Sequence, residues 1–412
     1  MSLPATEMNS GLVRTHPVAT WHELLGRRLQ SPSQALLQTR GLELTYDGRS
    51  ALYRVFCELA AGGRSHVLLP AFHCPSIVTS ALAAGLKPRF YRIDRQLGID
   101  GQSLQSLADA DVAAVVVIHF FGVQADLSRL TAVLNQGIAL IEDWSHSFLD
   151  GSNLSLNGVS DAYRIYSFWK LVPSGVGGGL MRPHGAGPTK GSKPRAGLGP
   201  RFGRSLRFWK SHLEETSAAH GPGWLHRSLI ASDAWRARWR GHGQHAVVLL
   251  HADLREQGER YYPFNPALAE VDMPLAARNV IEGTELAALA FGRRGSFERY
   301  ARGLAHTTVV TPVTPVTPVA PRAVPWVFPV LVAERDSRDF RWRQQGVPCH
   351  TFGSYLHSAL FSATAEATVA DARYLSHNLL CLAIHRDVTP EQIDAACDVI
   401  GRDHCVTTVS EA

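Results

Sequence analysis

The chain has 412 residues, of which 45% are hydrophobic and 19% charged, with a formal net charge of +5. This is enough apolar sequence for a large core, and the length predicts roughly two domains. The longest apolar run, residues 113–123, is interrupted by His119 and is far shorter than the ~20 residues of a membrane span, so we expect no such span.

The six cysteines are scattered and form neither a CxxC motif nor a Cys/His metal-binding spacing. We therefore expect free thiols in a reducing compartment, without disulfides and without a metal site. Residues 1–19 contain no apolar segment of the kind that a signal peptide carries. These features predict a soluble, cytoplasmic protein.

Residues 1–45 have a mixed composition and form a predicted N-terminal arm. Residues 21–29 fit one short amphipathic helix. The arm could pack on a smaller domain or on a partner subunit, or it could be a loosely held terminus.

The next segment begins with Asp47-Gly48-Arg49-Ser50 and continues as an apolar-faced stretch that ends at Gly62-Gly63. This pattern predicts a turn followed by a helix. Free N–H groups and the positive end of the helix dipole make a helix N-terminus a suitable site for a phosphate group. An ordinary capped helix would explain the same residues without a ligand.

Strand-like apolar segments then alternate with helical ones. The strands are predicted at 67–70, 88–93, 113–118 and 138–141. This alternation indicates βαβ units and a parallel sheet, which binds ligands at the carboxyl ends of its strands. Asp143 and His119 both follow predicted strands, so we expect both at that edge.

Residues 141–180 carry the main chemical signal. Lys170 lies 27 positions after Asp143 (170 − 143), in the sequence Ser167-Phe168-Trp169-Lys170, and a glycine-rich turn follows at 175–179. This layout suits pyridoxal 5′-phosphate (PLP): Lys170 would bind the aldehyde, Asp143 would face the ring nitrogen, and Ser167 would help to hold the phosphate. The alternatives are a surface lysine and an aspartate that caps a helix.

Taken in order, several segments resemble the DegT/DnrJ/StrS family of sugar aminotransferases. They are residues 47–56, 67–78, 87–94, 115–127, 141–148, 167–170 and 380–394. The resemblance implies an α/β fold of the fold-type I PLP-transferase class. That fold has a large domain, whose mainly parallel sheet is sandwiched by helices, and a smaller α+β C-terminal domain.

The resemblance also implies roles for individual residues. It assigns the phosphate-binding turn to Gly48, Arg49 and Ser50, and a place near the cofactor's 3-hydroxyl group to His146. It assigns ring stacking to Phe72 or His73, although Cys74 stands where the family often has an aromatic residue. A core role for Phe72 and a backbone-bonded role for His146 stay open, and a direct catalytic role for His119 is the less favoured interpretation.

Residues 182–240 match the family poorly. They hold 12 Lys and Arg against 3 Asp and Glu, a net charge of +9, together with four tryptophans. The segment could bind an anionic substrate or a membrane surface, and its composition would also suit nucleic acid. The alternative, a solvated insertion whose tryptophans pack on the domain, is the favoured one, and we expect no nucleic-acid partner.

The predicted domains are an arm at 1–45, a large PLP-binding domain at 46–250 that contains the basic insertion 182–240, and a small domain at 251–412. In the small domain, residues 275–304 read as two helices, in which Arg293, Arg294 and Tyr300 echo the family's small-domain helix. Residues 311–321 read as a Pro-rich extended connector. Thr389-Pro390 starts a helix as cap and first residue.

The resulting prediction is a homodimeric PLP-dependent aminotransferase. It would transfer an amino group from an amino acid such as glutamate to a keto-sugar nucleotide in polysaccharide or other glycoconjugate synthesis. One alternative keeps PLP and changes the substrate to a small amino or keto acid. Another is a non-catalytic binding or regulatory protein of the same fold, against which the presence of Lys170 and Asp143 argues.

Overall fold

The computed structural model describes residues 15–24, 41–149, 161–183, 264–313 and 323–403. Nearly all of the basic segment 182–240, the boundary at residue 250 and residues 314–321 of the Pro-rich connector lie outside the described residues. Within the described ranges, no helix combines the length and the apolar character that crossing a membrane requires.

Among the described residues, the first half of the chain supplies eight strands. They are β1 (Leu42–Thr45), β2 (His66–Pro70), β3 (Lys87–Tyr91), β4 (Val112–Ile118), β5 (Ala139–Asp143), β6 (Ser147–Leu149), β7 (Ala162–Ser167) and β8 (Gly178–Met181). Seven of them form one sheet in the order β1-β8-β7-β5-β4-β2-β3. Strands β3, β2, β4, β5 and β7 run parallel, and β8 and β1 are antiparallel to their neighbours.

The central strand β4 shows why this sheet is covered on both faces. All seven of its residues, VAAVVVI, are buried, which is typical of a parallel strand between two layers of helices. The helices of this half are α1 (Trp21–Leu24), α2 (Gly48–Ala60), α3 (Pro75–Ala83), α4 (Gly101–Leu107) and α5 (Thr131–Leu134). The predicted α/β class with a mainly parallel large sheet is confirmed.

The C-terminal part of the chain builds a second, antiparallel sheet. Its strands β9 (Thr311–Pro312), β11 (Val327–Leu331), β12 (Cys349–Thr351) and β13 (Leu379–Ala383) lie in the order β12-β13-β11-β9. The helices here are α6 (Leu275–Glu282), α7 (Leu286–Gly303), α8 (Arg335–Gln344), α9 (Ala359–Ala363), α10 (Glu366–Asn378) and α11 (Pro390–Arg402). Tyr300, Phe328 and Trp342 belong to a separate apolar cluster beside this sheet.

The two halves share a core. Met273, Ala277 and Leu375 belong to the same buried cluster as Val115 of the central strand. The short strand β10 (Ala323–Pro325) pairs with β6 of the first half. Residues from the predicted small domain therefore complete the large one.

The described part of the N-terminal arm contacts this C-terminal part. The backbone N–H of Val18 donates to Asp387 Oδ2 at 2.9 Å, and Arg386 pairs with Glu23. Leu24 packs with Val280 in a small apolar cluster. Residues 15–24 thus lie against the C-terminal half, as one of the two alternatives for the arm anticipated.

The turn after β4 brings the two halves close together at Gly122. Phe121 and Gly122 both have positive φ, 57° and 96°. A Cβ atom on Gly122 would lie 2.6 Å from Pro325 Cα, at the end of β10. Any side chain at this position would force β10 away from the turn.

Gly122→Ala should therefore lower the free energy of unfolding by about 1–3 kcal/mol, since alanine adds both the steric conflict and an unfavourable φ. Urea denaturation would measure the change. Gly295→Ala on helix α7 is the matched control: apart from the helix's own backbone, a Cβ there meets no atom of the described residues within 4 Å, so the substitution should be neutral or stabilising. Equal stability of Gly122→Ala and the parent would contradict this view of the turn.

Candidate active site

A cavity of about 550 Å³ opens at the carboxyl ends of β4, β5 and β7. Its size lies within the range of cofactor and small-molecule sites. The structure brings to this one cavity six of the predicted site residues, namely Gly48, Arg49, Asp143, His146, Ser167 and Lys170.

The first wall of the cavity is the start of α2. Asp47 caps this helix: its Oδ1 accepts hydrogen bonds from both the backbone N–H and the hydroxyl of Ser50, each at 2.8 Å. Ser50 is buried, and its hydroxyl donates to Asp47 in this cap. It therefore does not line the cavity. Gly48 and Arg49 remain as the lining residues of the predicted phosphate turn.

The glycine run fixes this helix start against the lysine turn. The N–H of Gly177 donates to Tyr46 O at 2.8 Å, and the N–H of Phe168 donates to Gly177 O at 2.9 Å. A Cβ on Gly178 would lie 2.3 Å from the carbonyl carbon of Asp47. The backbones of β8 and of the α2 cap can approach this closely only because residue 178 has no side chain.

Lys170 ends a single 3₁₀ turn, Phe168–Lys170, that follows β7. Its Nζ lies 4.8 Å from the ring centroid of Trp326 and 5.7 Å from that of Phe352. Burial lowers the pKa of Lys170, although the nearby Cys74 and Asp143 oppose this shift. A larger fraction of the amine is therefore neutral at a given pH, which is the form that attacks a carbonyl.

Asp143 ends β5 and is only 6% exposed. Its Oδ1 accepts a hydrogen bond from the N–H of Ser145 at 2.9 Å, which fixes the carboxylate at the cavity. The residues that follow form a turn and then strand β6, so the alternative of a helix cap is wrong. A carboxylate this buried requires a charged or hydrogen-bonding partner, and the cavity also holds Lys170.

His146 is buried beside Asp143. Its Nδ1 accepts a hydrogen bond from the N–H of Phe121 at 3.3 Å, and its ring stacks on that of Phe121 with centroids 5.2 Å apart. Burial lowers its pKa well below the ordinary value for histidine, with a smaller contribution from Lys170. The ring is therefore neutral at physiological pH, and it both lines the cavity and bonds to the backbone.

The structure does not bring the two candidate stacking residues to the cavity. Phe72 is fully buried and packs on Phe120 and Phe352. His73 is held by the carbonyl oxygens of residues 70 and 71 and accepts a hydrogen bond from the N–H of His357. Both rings are used in the core, and Cys74 is the residue of this loop that lines the cavity.

His119 also lies outside the lining. The N–H of Ala125 donates to its Nδ1 at 3.1 Å, so Nε2 carries the proton and donates to Glu142 at 3.1 Å. The ring stacks on Trp144 at a centroid distance of 3.7 Å. Both ring nitrogens of His119 have protein partners, so neither is free to act on a substrate. This agrees with the expectation that His119 has no direct catalytic role.

Several residues of the site were not predicted. Trp169, Ser145 and Phe352 line the cavity, and Trp326 lies beneath the lysine amine. Trp169 and Ser145 stand within the motifs that were recognised, and their proximity to Lys170 and Asp143 could have identified them. Phe352 and Trp326 come from distant segments without a motif, so no local signal pointed to them.

Gly178→Ala should weaken the binding of an anion at the start of α2, because the added methyl group must displace the Asp47–Gly48 peptide. Inorganic phosphate, titrated by calorimetry, is the probe, and we expect at least tenfold weaker binding. Gly292→Ala serves as control, since apart from the backbone of its own helix no atom of the described residues would lie within 4 Å of the added Cβ. Unchanged phosphate affinity in a folded Gly178→Ala protein would show that this backbone contact does not shape the site.

Comparison with known proteins agrees with this geometry. Residues 45–181, which build most of the cavity, match the profile of the DegT/DnrJ/EryC1/StrS aminotransferase family. The match covers about a third of the chain and agrees with the predicted resemblance to this family, whose members are aminotransferases.

Individual relatives are more distant. Protein MosB of Rhizobium meliloti is 32% identical over 98 residues, which are 23% of this chain and only 19% of MosB. The sugar aminotransferase CalS13 from Micromonospora echinospora has 17% identity and a TM-score of 0.61, over 95% of this chain and 100% of that one. Helicobacter pylori PseC, an aminotransferase involved in pseudoaminic acid biosynthesis, has 13% identity and a TM-score of 0.58, over 95% and 98%. These structures share the fold.

Proposed function

We propose that this protein is a PLP-dependent aminotransferase that transfers an amino group from an amino acid such as glutamate to a nucleotide-linked keto sugar. The observation that carries the proposal is one cavity that encloses the Lys170 amine, the Asp143 carboxylate and the start of helix α2. The sugar class is supported by the matched family and by the sugar aminotransferases that share the fold.

The residues of the cavity suit three parts of PLP: its phosphate, its aldehyde and its ring nitrogen. The start of α2 offers N–H groups and a positive dipole to the phosphate, with Ser167 on the same wall. The amine of Lys170 suits the aldehyde, and the buried Asp143 suits a protonated ring nitrogen. When bound, PLP supplies an electron sink for negative charge at the substrate's Cα.

Each residue would then have a separate task. Lys170 would accept the proton from the substrate's Cα, a role that its lowered pKa favours near neutral pH. Asp143 would hold the proton on the ring nitrogen. The neutral His146 would add no charge near the ring, so the carboxylate of Asp143 would dominate the electrostatics there.

The proposal also covers location, association and biosynthetic role. We expect a cytoplasmic homodimer that acts in polysaccharide or glycoconjugate synthesis. Leu275 and Phe291 support association, because their side chains are 72% and 79% exposed near the start of the C-terminal half. A role of the basic segment 182–240 in holding the diphosphate of the substrate stays a prediction.

Lys170→Ala should abolish turnover and the visible absorbance of bound PLP, because the variant lacks the amine that binds the aldehyde. Borohydride reduction followed by peptide mass spectrometry measures the covalent link directly. Lys87→Ala removes an exposed lysine on β3 and should behave like the parent. If PLP is still fixed to the Lys170→Ala protein on reduction, another lysine carries the cofactor.

Asp143→Asn should leave a folded protein that transaminates on the order of 100-fold more slowly, because the asparagine cannot stabilise a charged ring nitrogen. Single-turnover absorbance changes with glutamate would measure the rate. Asp126→Asn changes an exposed carboxylate that caps a short turn, and serves as the matched control. Near-parental turnover of Asp143→Asn would remove this residue from the mechanism.

A further inference from the structure

Arg293 of helix α7 is a buried cation whose hydrogen bonds go to backbone carbonyls. It is 2% exposed. One terminal nitrogen donates to Leu171 O at 2.8 Å, and the other donates to Trp326 O at 2.8 Å and to Pro325 O at 3.3 Å. Its Nε has no hydrogen-bond partner among the residues that the structure describes.

Burying this cation lowers the stability of the folded protein. Burial lowers the pKa of the Arg293 guanidinium to about 9, and the nearby Arg386 acts in the same direction. The group is still charged at neutral pH, so the protein keeps a cation where an apolar side chain would avoid the loss of hydration. What a guanidinium offers in return is a rigid, planar set of donors that can hold several carbonyls in a fixed arrangement.

The carbonyls that Arg293 holds belong to the surroundings of Lys170. Leu171 directly follows the lysine. Pro325 ends β10, and it pairs with Ser147 next to His146. Trp326 lies between β10, which pairs with the first half of the chain, and β11, which belongs to the antiparallel sheet. Its indole ring is the one beneath Lys170 Nζ.

We propose that Arg293 is a positioning residue for Lys170. It joins the backbone after the lysine to the backbone of the tryptophan that the amine contacts, so that the amine stays over the indole ring. The functional importance of this placement rests on the proposed role of Lys170. The placement itself is a property of the chain and is open to measurement without cofactor.

The test compares the reactivity of the Lys170 amine in the full chain and in Arg293→Met, both freed of cofactor. Competitive acetylation is carried out across a pH series and read by peptide mass spectrometry. It gives the pH at which half of the Lys170 amine is deprotonated, which we call its midpoint. We expect a higher midpoint in Arg293→Met, closer to that of an ordinary lysine, because the released turn lets water reach the amine. Arg293→Lys should give an intermediate value, since one ammonium group cannot span the same three carbonyls.

Phe297→Leu separates positioning from general stability. Phe297 lies on the same helix but packs on Phe328 in the second apolar cluster, with ring centroids 4.8 Å apart. We expect this control to lower the melting temperature while leaving the Lys170 midpoint unchanged. A parental midpoint in Arg293→Met, or in Arg293→Lys if the methionine variant does not fold, would overturn the proposal.

These outcomes are distinguishable from failure of the proposed function. A parent protein that binds no PLP would refute the aminotransferase proposal and leave the acetylation result intact. Conversely, the parent could bind PLP normally while the Lys170 midpoint of the Arg293 variant equals that of the parent. That result would refute only the positioning role.

Discussion

The close approach of Gly178 to the cap of helix α2 is the contact on which the site depends. Where β8 passes the Asp47–Gly48 peptide there is no room for a Cβ atom. The same glycine run is hydrogen-bonded to Phe168, two residues before Lys170. The separation between the start of α2 and the lysine is therefore set by backbone packing, which side-chain motion cannot relax.

Around this rigid frame the protein places ionisable groups that are largely removed from bulk water. The Lys170 amine rests on aromatic rings, and the Asp143 carboxylate is held by a backbone N–H. Arg293 is bonded to carbonyl oxygens and His146 is kept neutral. Burial lowers the pKa of Lys170, of His146 and of Arg293, so these three groups are sensitive to how far they are removed from water. This gives a physical reason why the backbone of the turn that carries Lys170 is hydrogen-bonded both to Gly177 and to the Arg293 side chain.

The parts of the site that the sequence could predict are those encoded locally. The apolar run of β4 and the short run before Asp143 indicated parallel strands, and the carboxyl ends of such strands meet at one edge. Lys170 was identified by its spacing from Asp143 and from the glycines. Ser50 lies outside the cavity lining because its hydroxyl bonds to Asp47, a contact that the sequence pattern does not reveal. The choice among Phe72, His73 and Cys74 depended on which side of a loop faces the cavity, and that is decided by packing against Phe120, Phe90 and Phe352. Trp326 and Arg293 reach the lysine through tertiary contacts that no local pattern specifies.

The distance along the chain between Lys170 and its aromatic neighbours has a consequence for how the protein is made. Trp326 and Phe352 lie 156 and 182 residues after the lysine (326 − 170 and 352 − 170). All strands of the large sheet lie before residue 182, so they can pair while these residues are still being translated, although the core shared with the C-terminal part closes only later. During that interval the amine has neither its indole neighbour nor its low-dielectric surroundings, and it behaves as an ordinary solvated lysine. The nascent chain therefore acquires a reactive amine only when translation is well into the second half.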